Sequence, residues 1–133
     1  MKNKYGYDPD LWAAAKAEGV SILAGVAARR GRIAYSEMAP LIASISFEHD
    51  DPRFWHLLGE ISVEEMAAGR GMLSAIVVHR GGDMLPGPGF YQLAKSLGKK
   101  VSEVDRFWLD EFNRVHDVWA NKAKSPKPER RPS

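Results

Sequence analysis

Apolar residues recur along much of this chain at helical spacing, and one short stretch breaks that rhythm. Leu11, Trp12, Ala15, Ile22, Leu23 and Val26 lie on one stripe and predict a first helix. Asp8-Pro9 opens it, because Asp can cap the free amides and Pro at the first helical position gives up no hydrogen bond. Gly31, just after Arg29 and Arg30, predicts the stop, with cations near the negative end of the helix. Arg32–Tyr35 reads as a short extended piece, and Ser36 as the cap of a second helix over Glu37–Ala43 that Pro40 keeps short. Asp51-Pro52 repeats the start signal and predicts a third helix bearing Phe54, Trp55, Leu58 and Ile61. Ser62-Val63-Glu64-Glu65 has capping-box spacing and predicts a further turn around Met66, ended by Gly69-Arg70-Gly71.

The break in rhythm is Met72–His79, an apolar run containing Ile76-Val77-Val78 that predicts a strand buried on both faces. Gly81-Gly82-Asp83 turns the chain into a hairpin, Met84–Gly89 is held extended by its prolines, and Phe90–Leu97 forms a short helix stopped by Gly98. Ser102 caps the last helix, with Val104, Phe107, Trp108, Glu111, Val115 and Trp119 along one side and Phe112 and Val118 widening the stripe. The order is helix, strand, helix, helix, hairpin, helix, helix. It describes a mainly α protein with a small β-sheet, an α+β winged-helix-like single domain over residues 1–121. From Lys122 the composition shifts to Lys, Pro, Arg and Ser, which predicts a basic disordered tail over 122–133.

Composition narrows the chemistry. The 133 residues hold no cysteine, so disulfides, thiolate metal sites and a cysteine nucleophile are excluded. The N-terminus is basic but leads into Asp8 and Asp10 rather than an apolar core, so it does not read as a signal peptide. The longest apolar run lies within Met72–Val78, is interrupted by Ser74, and falls far short of the roughly 20 residues that span a bilayer. A cytoplasmic location without membrane contact is the expectation. The net charge of +2 is unevenly spread: the tail holds Lys122, Lys124, Lys127, Arg130 and Arg131 against Glu129. The body is therefore slightly acidic, and any nucleic-acid surface must come from a local patch plus the tail.

Gly31-Arg32-Ile33-Ala34-Tyr35-Ser36-Glu37-Met38-Ala39 resembles the segment that opens the DNA-binding unit of alkylguanine-DNA alkyltransferases and alkyltransferase-like proteins. That family shows a Gly, a basic residue, a β-branched residue, a Tyr, an acidic residue and an Ala in this order; here the Ile33-to-Tyr35 gap is one residue shorter. Ile76-Val77-Val78-His79-Arg80-Gly81-Gly82 is similar to the family's apolar strand and turn after its active site. The resemblance implies a winged-helix fold, with Arg53 as the candidate for the family's nucleotide-displacing Arg. The Pro-Cys-His-Arg signature is absent, and Met72-Leu73-Ser74-Ala75 stands in that region. Alkyl transfer is excluded.

The function expected from these residues is a non-catalytic, accessory or regulatory DNA-binding domain without a cofactor. Arg53 and His56 lie near the start of the third helix, where a groove-reading helix meets phosphates or base edges, and Arg80 at the hairpin tip would be the wing contact. Arg32 and Arg70 complete the proposed patch on double-stranded DNA, and the tail adds salt-sensitive attraction. The alternative is a protein-interaction module, pairing with itself or a partner through the aromatic last helix and the Gly/Pro loop, with Gly87, Gly89 and Tyr91 as loop contacts. Phe54, Trp55, Leu57 and Leu58 make the third helix apolar for a groove reader. His49-Asp50-Asp51 with His56 lacks good metal-ligand spacing, since Asp51 and His56 are five apart. His79 with Asp83, near Tyr91, and His116 with Asp117 have no nucleophile beside them, so an enzyme is the least favoured class.

Overall fold

A computed structural model describes residues 2–78, 88–98 and 101–124. Helix α1, Pro9–Ala28, starts as its sequence dictates: the Asp8 carboxylate accepts from the Asp10 amide at 2.8 Å and Pro9 fills the first helical position. Trp12, Ala15, Gly19, Leu23, Val26 and Ala27 form its buried face, while Leu11, expected on that stripe, is half exposed. By length and apolar composition α1 could cross a membrane; in this fold its apolar face packs against two other helices. The turn that ends it is left-handed at Arg30 (φ 56°) rather than at Gly31. Gly31 instead returns its amide to the Val26 carbonyl at 2.9 Å, and a methyl on it would press on Val26.

Strand β1 is short, Ile33–Ala34, and runs straight into α2, Tyr35–Met38, followed by a 3-10 turn over Ala39–Leu41. Ala34 therefore takes the cap position expected of Ser36, and the Glu37 carboxylate accepts its amide at 2.9 Å. The loop that follows is pinned from outside: Glu18 on α1 accepts the amides of Ala43 and Ser44 and the Ser44 hydroxyl. These bonds, the hydroxyl's first, hold the Glu18 carboxyl below the usual carboxylate range.

Helix α3, Pro52–Ala67, begins with Asp51 accepting the Arg53 amide at 2.9 Å. It runs unbroken through Ser62, which was expected to start a new turn but sits fully buried in mid-helix. The reason lies across the core: the Ser62 hydroxyl donates to Ser74 Oγ at 2.6 Å and accepts the Ser74 amide at 3.0 Å. The same exchange shortens the expected Met72–His79 strand. Leu73–Ile76 is a 3-10 turn and only Val77–Val78 forms strand β2 among the described residues. The backbone polar groups that a strand would give to a ladder are met by side chains instead. Glu111 takes the Met72 amide at 2.9 Å, Ser62 takes that of Ser74, and Trp108 Nε1 donates to the Ala75 carbonyl at 2.8 Å. The segment is as buried as its composition demands, with every residue from Met72 to Val78 in the interior.

β1 and β2 pair in parallel, Ile33 opposite Val77 and Ala34 opposite Val78, so the short strand after α1 does join the one after α3. Helix α4 begins at Pro88, earlier than the expected Phe90, and Pro88-Gly89 is helical rather than extended. Helix α5, Val101–Lys124, takes Ser102 into its first turn, starting one residue ahead of the expected cap. It also runs through the first residues of the basic tail. The whole is a mainly helical α+β fold with one small sheet, in winged-helix-like order. A main core joins α1, α3, the 3-10 turn and α5; a smaller one gathers Met72, Ala75 and Phe90 under Phe107 and Trp108. The hairpin turn at Gly81-Gly82-Asp83, His79, Arg80, Met84–Gly87 and tail residues 125–133 lie outside the described residues.

Candidate functional site

Helix α3 buries Phe54, Leu57, Leu58 and Ile61 and turns its other side outward, and that outer side is hollow. A groove of about 620 Å3 runs along Pro52, Trp55, His56, Gly59 and Val63, walled by Tyr5 on one flank and Leu93 of α4 on the other. That volume lies within the range of ligand pockets, roughly 300–1,000 Å3. Glu60 and Glu64 form its acidic edge. The spacing explains the alignment, because positions three, four, seven and eight apart share one helix face.

The Tyr5 wall is built by a hook in the chain. The Asn3 side chain accepts the amides of Tyr5 and Tyr7, and Gly6 takes the left-handed conformation the turn requires (φ 86°). The Tyr5 ring then lies between Trp12 at 4.6 Å and His56 at 5.2 Å, both stacked. Glu60 ties this stack to α3, accepting from Trp12 Nε1 at 2.9 Å, Tyr5 OH at 3.2 Å and Lys16 Nζ at 3.1 Å. Burial pushes the Glu60 carboxyl up, but the bonds from Trp12 and Lys16 outweigh it and hold the group below the ordinary value of 4.5. Burial likewise works to lower Lys16, and its bonds to Glu64 and Glu60 prevail and raise it. Glu64, at the outer rim, shares Lys16 at 2.7 Å while remaining 59 % exposed.

Gly59 forms the floor. A Cβ there would meet nothing within 4 Å, so no contact in the described chain demands a glycine at mid-helix. Its presence leaves the groove open where any other residue would begin to fill it. Gly19 has a different cause, since a Cβ on it would stand 2.9 Å from Ile61 Cδ1 at the crossing of α1 and α3.

Two of the expected DNA-contacting arginines, Arg53 and Arg70, are engaged by nearby carboxylates. Arg53 turns back on its own cap, with Nε at 3.1 and 3.2 Å and Nη2 at 2.8 Å from Asp51, and its guanidinium lies over the Tyr7 ring. The Arg53 guanidinium in turn holds the Asp51 carboxyl below its usual range. Arg70 makes a two-pronged pair with Glu65, both contacts 2.8 Å, and stands over Trp119 of α5. Glu65 is buried, so this pair fastens the end of α3 to α5. His56 is exposed in the groove, and Arg32 is exposed ahead of β1. Arg80 and Gly87 lie outside the described residues; Gly89 and Tyr91 fall in the first turns of α4, and the Tyr91 side chain is outside them too.

The aromatics of the last helix, Phe107, Trp108, Phe112 and Trp119, are half-buried against the two cores. Phe107 packs on Phe90, Phe112 on His116, and Trp108 on the 3-10 turn, leaving Leu109 as the exposed large apolar residue of its described part. His116 is buried and bonds the Gly31 carbonyl through Nε2 at 2.8 Å, a structural role joining α5 to the end of α1. Among the described residues no three His, Asp or Glu side chains stand close enough to hold a metal. With no cysteine in the chain, cysteine-dependent alkyl transfer has no nucleophile. Sequence reading grouped Trp55 with Phe54, Leu58 and Ile61 and so missed the groove; Trp55 is half-buried against the core, and the signal was the second spacing Trp55-Gly59-Val63 beside that stripe. Nothing in the sequence foretold the Tyr5 hook as its wall.

Compared with protein-family models, curated proteins and solved structures, the chain finds no match.

Proposed function

We propose that this chain is a non-catalytic recognition module working in the cytoplasm, and that its working surface, the groove on α3, takes a short segment of a partner protein. The single observation that carries this is the makeup of α3's outer face. It offers Trp55, Gly59 and Val63 with Glu60 and Glu64 beside them, while the one arginine at its start is bonded to Asp51. Carboxylates at that position repel a phosphate backbone, and aromatic and aliphatic walls suit an apolar anchor. The matching segment carries an apolar or aromatic residue with a cation next to it, the cation meeting Glu64 at the rim. Glu64 is the freer carboxylate, because Glu60 is already engaged by three donors.

Duplex DNA is the second reading, favoured by the winged-helix-like order of α1, β1, α2, α3 and β2, by the resemblance of the Gly31–Ala39 segment, and by the exposed Arg32. One titration separates them. Fluorescein-labelled nonapeptides with a central Trp or Leu flanked by Lys, or by Glu, are read by anisotropy beside a labelled duplex at two salt concentrations. The groove reading expects the Lys-flanked peptides to bind more tightly, and Gly59→Phe to abolish that binding. Duplex binding that persists at the higher salt and falls with Arg53→Ala and His56→Ala, without any peptide binding, would return the function to DNA.

A further inference from the structure

Resting on the reading of the α3 groove as a binding site, we propose that the groove is occupied in cis by the chain's own residues 125–133, a tethered competitor that a partner segment must displace. Three facts point to this occupant. The segment carries Pro126, Pro128 and Pro132, which favour an extended, low-entropy conformation of the kind that lies along aromatic-lined grooves. It carries Lys127, Arg130 and Arg131 against Glu129, opposite in sign to the Glu60–Glu64 edge. It also starts in the right place: Arg70, bonded to Glu65 on α3, lies 5.9 Å over Trp119, one and a half turns before α5 ends at Lys124. Trp119, near the end of α5, thus lies beside the last turn of α3, the turn that also carries Glu64.

The reach is sufficient. Nine residues at about 3.1 Å each span roughly 28 Å, and α3 from Pro52 to Glu64 spans about 18 Å at 1.5 Å per residue. Tethering makes the encounter intramolecular, with an effective concentration on the order of millimolar. A weak contact then suffices to keep the groove filled, while a partner with a better anchor at Trp55 and Val63 still displaces it.

The absence of cysteine makes the test direct, because Ser133→Cys places a single thiol for a nitroxide label on the full chain. Amide signals are recorded with the label oxidised and reduced. The expected result is a several-fold loss of intensity at Gly59 and Val63, with Arg29 and Arg106 unaffected. That loss should disappear when Gly59→Phe fills the groove and when Lys127, Arg130 and Arg131 are all changed to Glu. Loss at neither Gly59 nor Val63, or equal loss over the whole surface, overturns the inference. So does loss that appears only when unlabelled-thiol chain is mixed with a labelled second copy, since the occupant is then another molecule. The probe nonapeptides separate this from the parent reading: peptide binding without tail contact sinks the inference alone, and tail contact without any peptide binding sinks the partner reading alone.

Discussion

Replacing Gly59 by Ala should make this protein more stable, and the size of the gain reports whether the groove is open. Gly59 lies in the middle of α3, and a Cβ there has no neighbour within 4 Å. The substitution therefore costs no packing and recovers the helix preference of Ala over Gly, about 0.8–1.0 kcal/mol. For a domain of this size that is a rise of roughly 3–5 °C in melting temperature, between the sensitivities of smaller and larger domains. Gly19→Ala is the control on a neighbouring helix with the same propensity gain. There the new methyl stands 2.9 Å from Ile61 Cδ1, inside a fully buried crossing, and overpacking of about 1–3 kcal/mol outweighs the gain. Urea unfolding followed by circular dichroism measures both. A loss of stability in Gly59→Ala that persists when Lys127, Arg130 and Arg131 are all changed to Glu would mean that the floor of α3 is covered by the folded body, and the groove reading would fall with it.

Four further outcomes follow from the same contacts. Ser62→Ala should cost about 1–3 kcal/mol in urea unfolding, because it strands the buried Ser74 amide without an acceptor. Gly71→Ala should be destabilising by more than about 1 kcal/mol, since φ is 92° and the new Cβ would stand 2.8 Å from Arg114 Cδ; a neutral result would refute the left-handed turn there. Arg70→Ala should lower stability by about 2–4 kcal/mol, leaving the buried Glu65 carboxylate uncompensated, and Arg70→Lys should restore only part of it; an unchanged urea midpoint would show that the pair is not structural. Glu60 contributes pH dependence of known sign. Its folded value lies below 4.5, so its stabilisation is present above 4.5 and is lost as pH falls through the folded value. Denaturant midpoints from pH 7 to 3 should fall more steeply in the wild type than in Glu60→Gln, and parallel curves would contradict the assignment.

The starts of α1 and α3 were legible; the other helix starts and the joints between elements were not. Asp8-Pro9 and Asp51-Pro52 declare themselves because the cap is a local bond, made by a side chain to an amide two residues on. The Met72–Val78 run was legible as interior for the same reason that it was misread as a long strand. Apolar content predicts burial, but strand length depends on where the backbone bonds go. Here Ser62, Trp108 and Glu111 reach in from 12, 33 and 39 residues away to satisfy that backbone. A capping-box spacing at Ser62 is likewise a local signal overruled by a distant partner. Arg30 in the left-handed turn, in place of the adjacent Gly31, is held by tertiary contacts, its guanidinium on Asp117 at 3.0 Å.

The site was hidden by the same distinction, applied to charge. Arg53 and Arg70 look like free cations in sequence, yet each is paired within five residues of itself, with Asp51 and Glu65. A short-range pair of this kind removes the residue from a recognition surface without leaving any apolar trace in the pattern. Once both are accounted for, what faces outward from α3 is Trp55, Gly59, Val63 and a rim of carboxylates, while the segment from Lys122 onward carries five cations against one carboxylate. An acidic groove and a basic proline-bearing segment in one polypeptide attract each other whatever else the protein binds. If that attraction seats the segment in the groove, as proposed, a partner must compete there with a competitor tethered to the same chain.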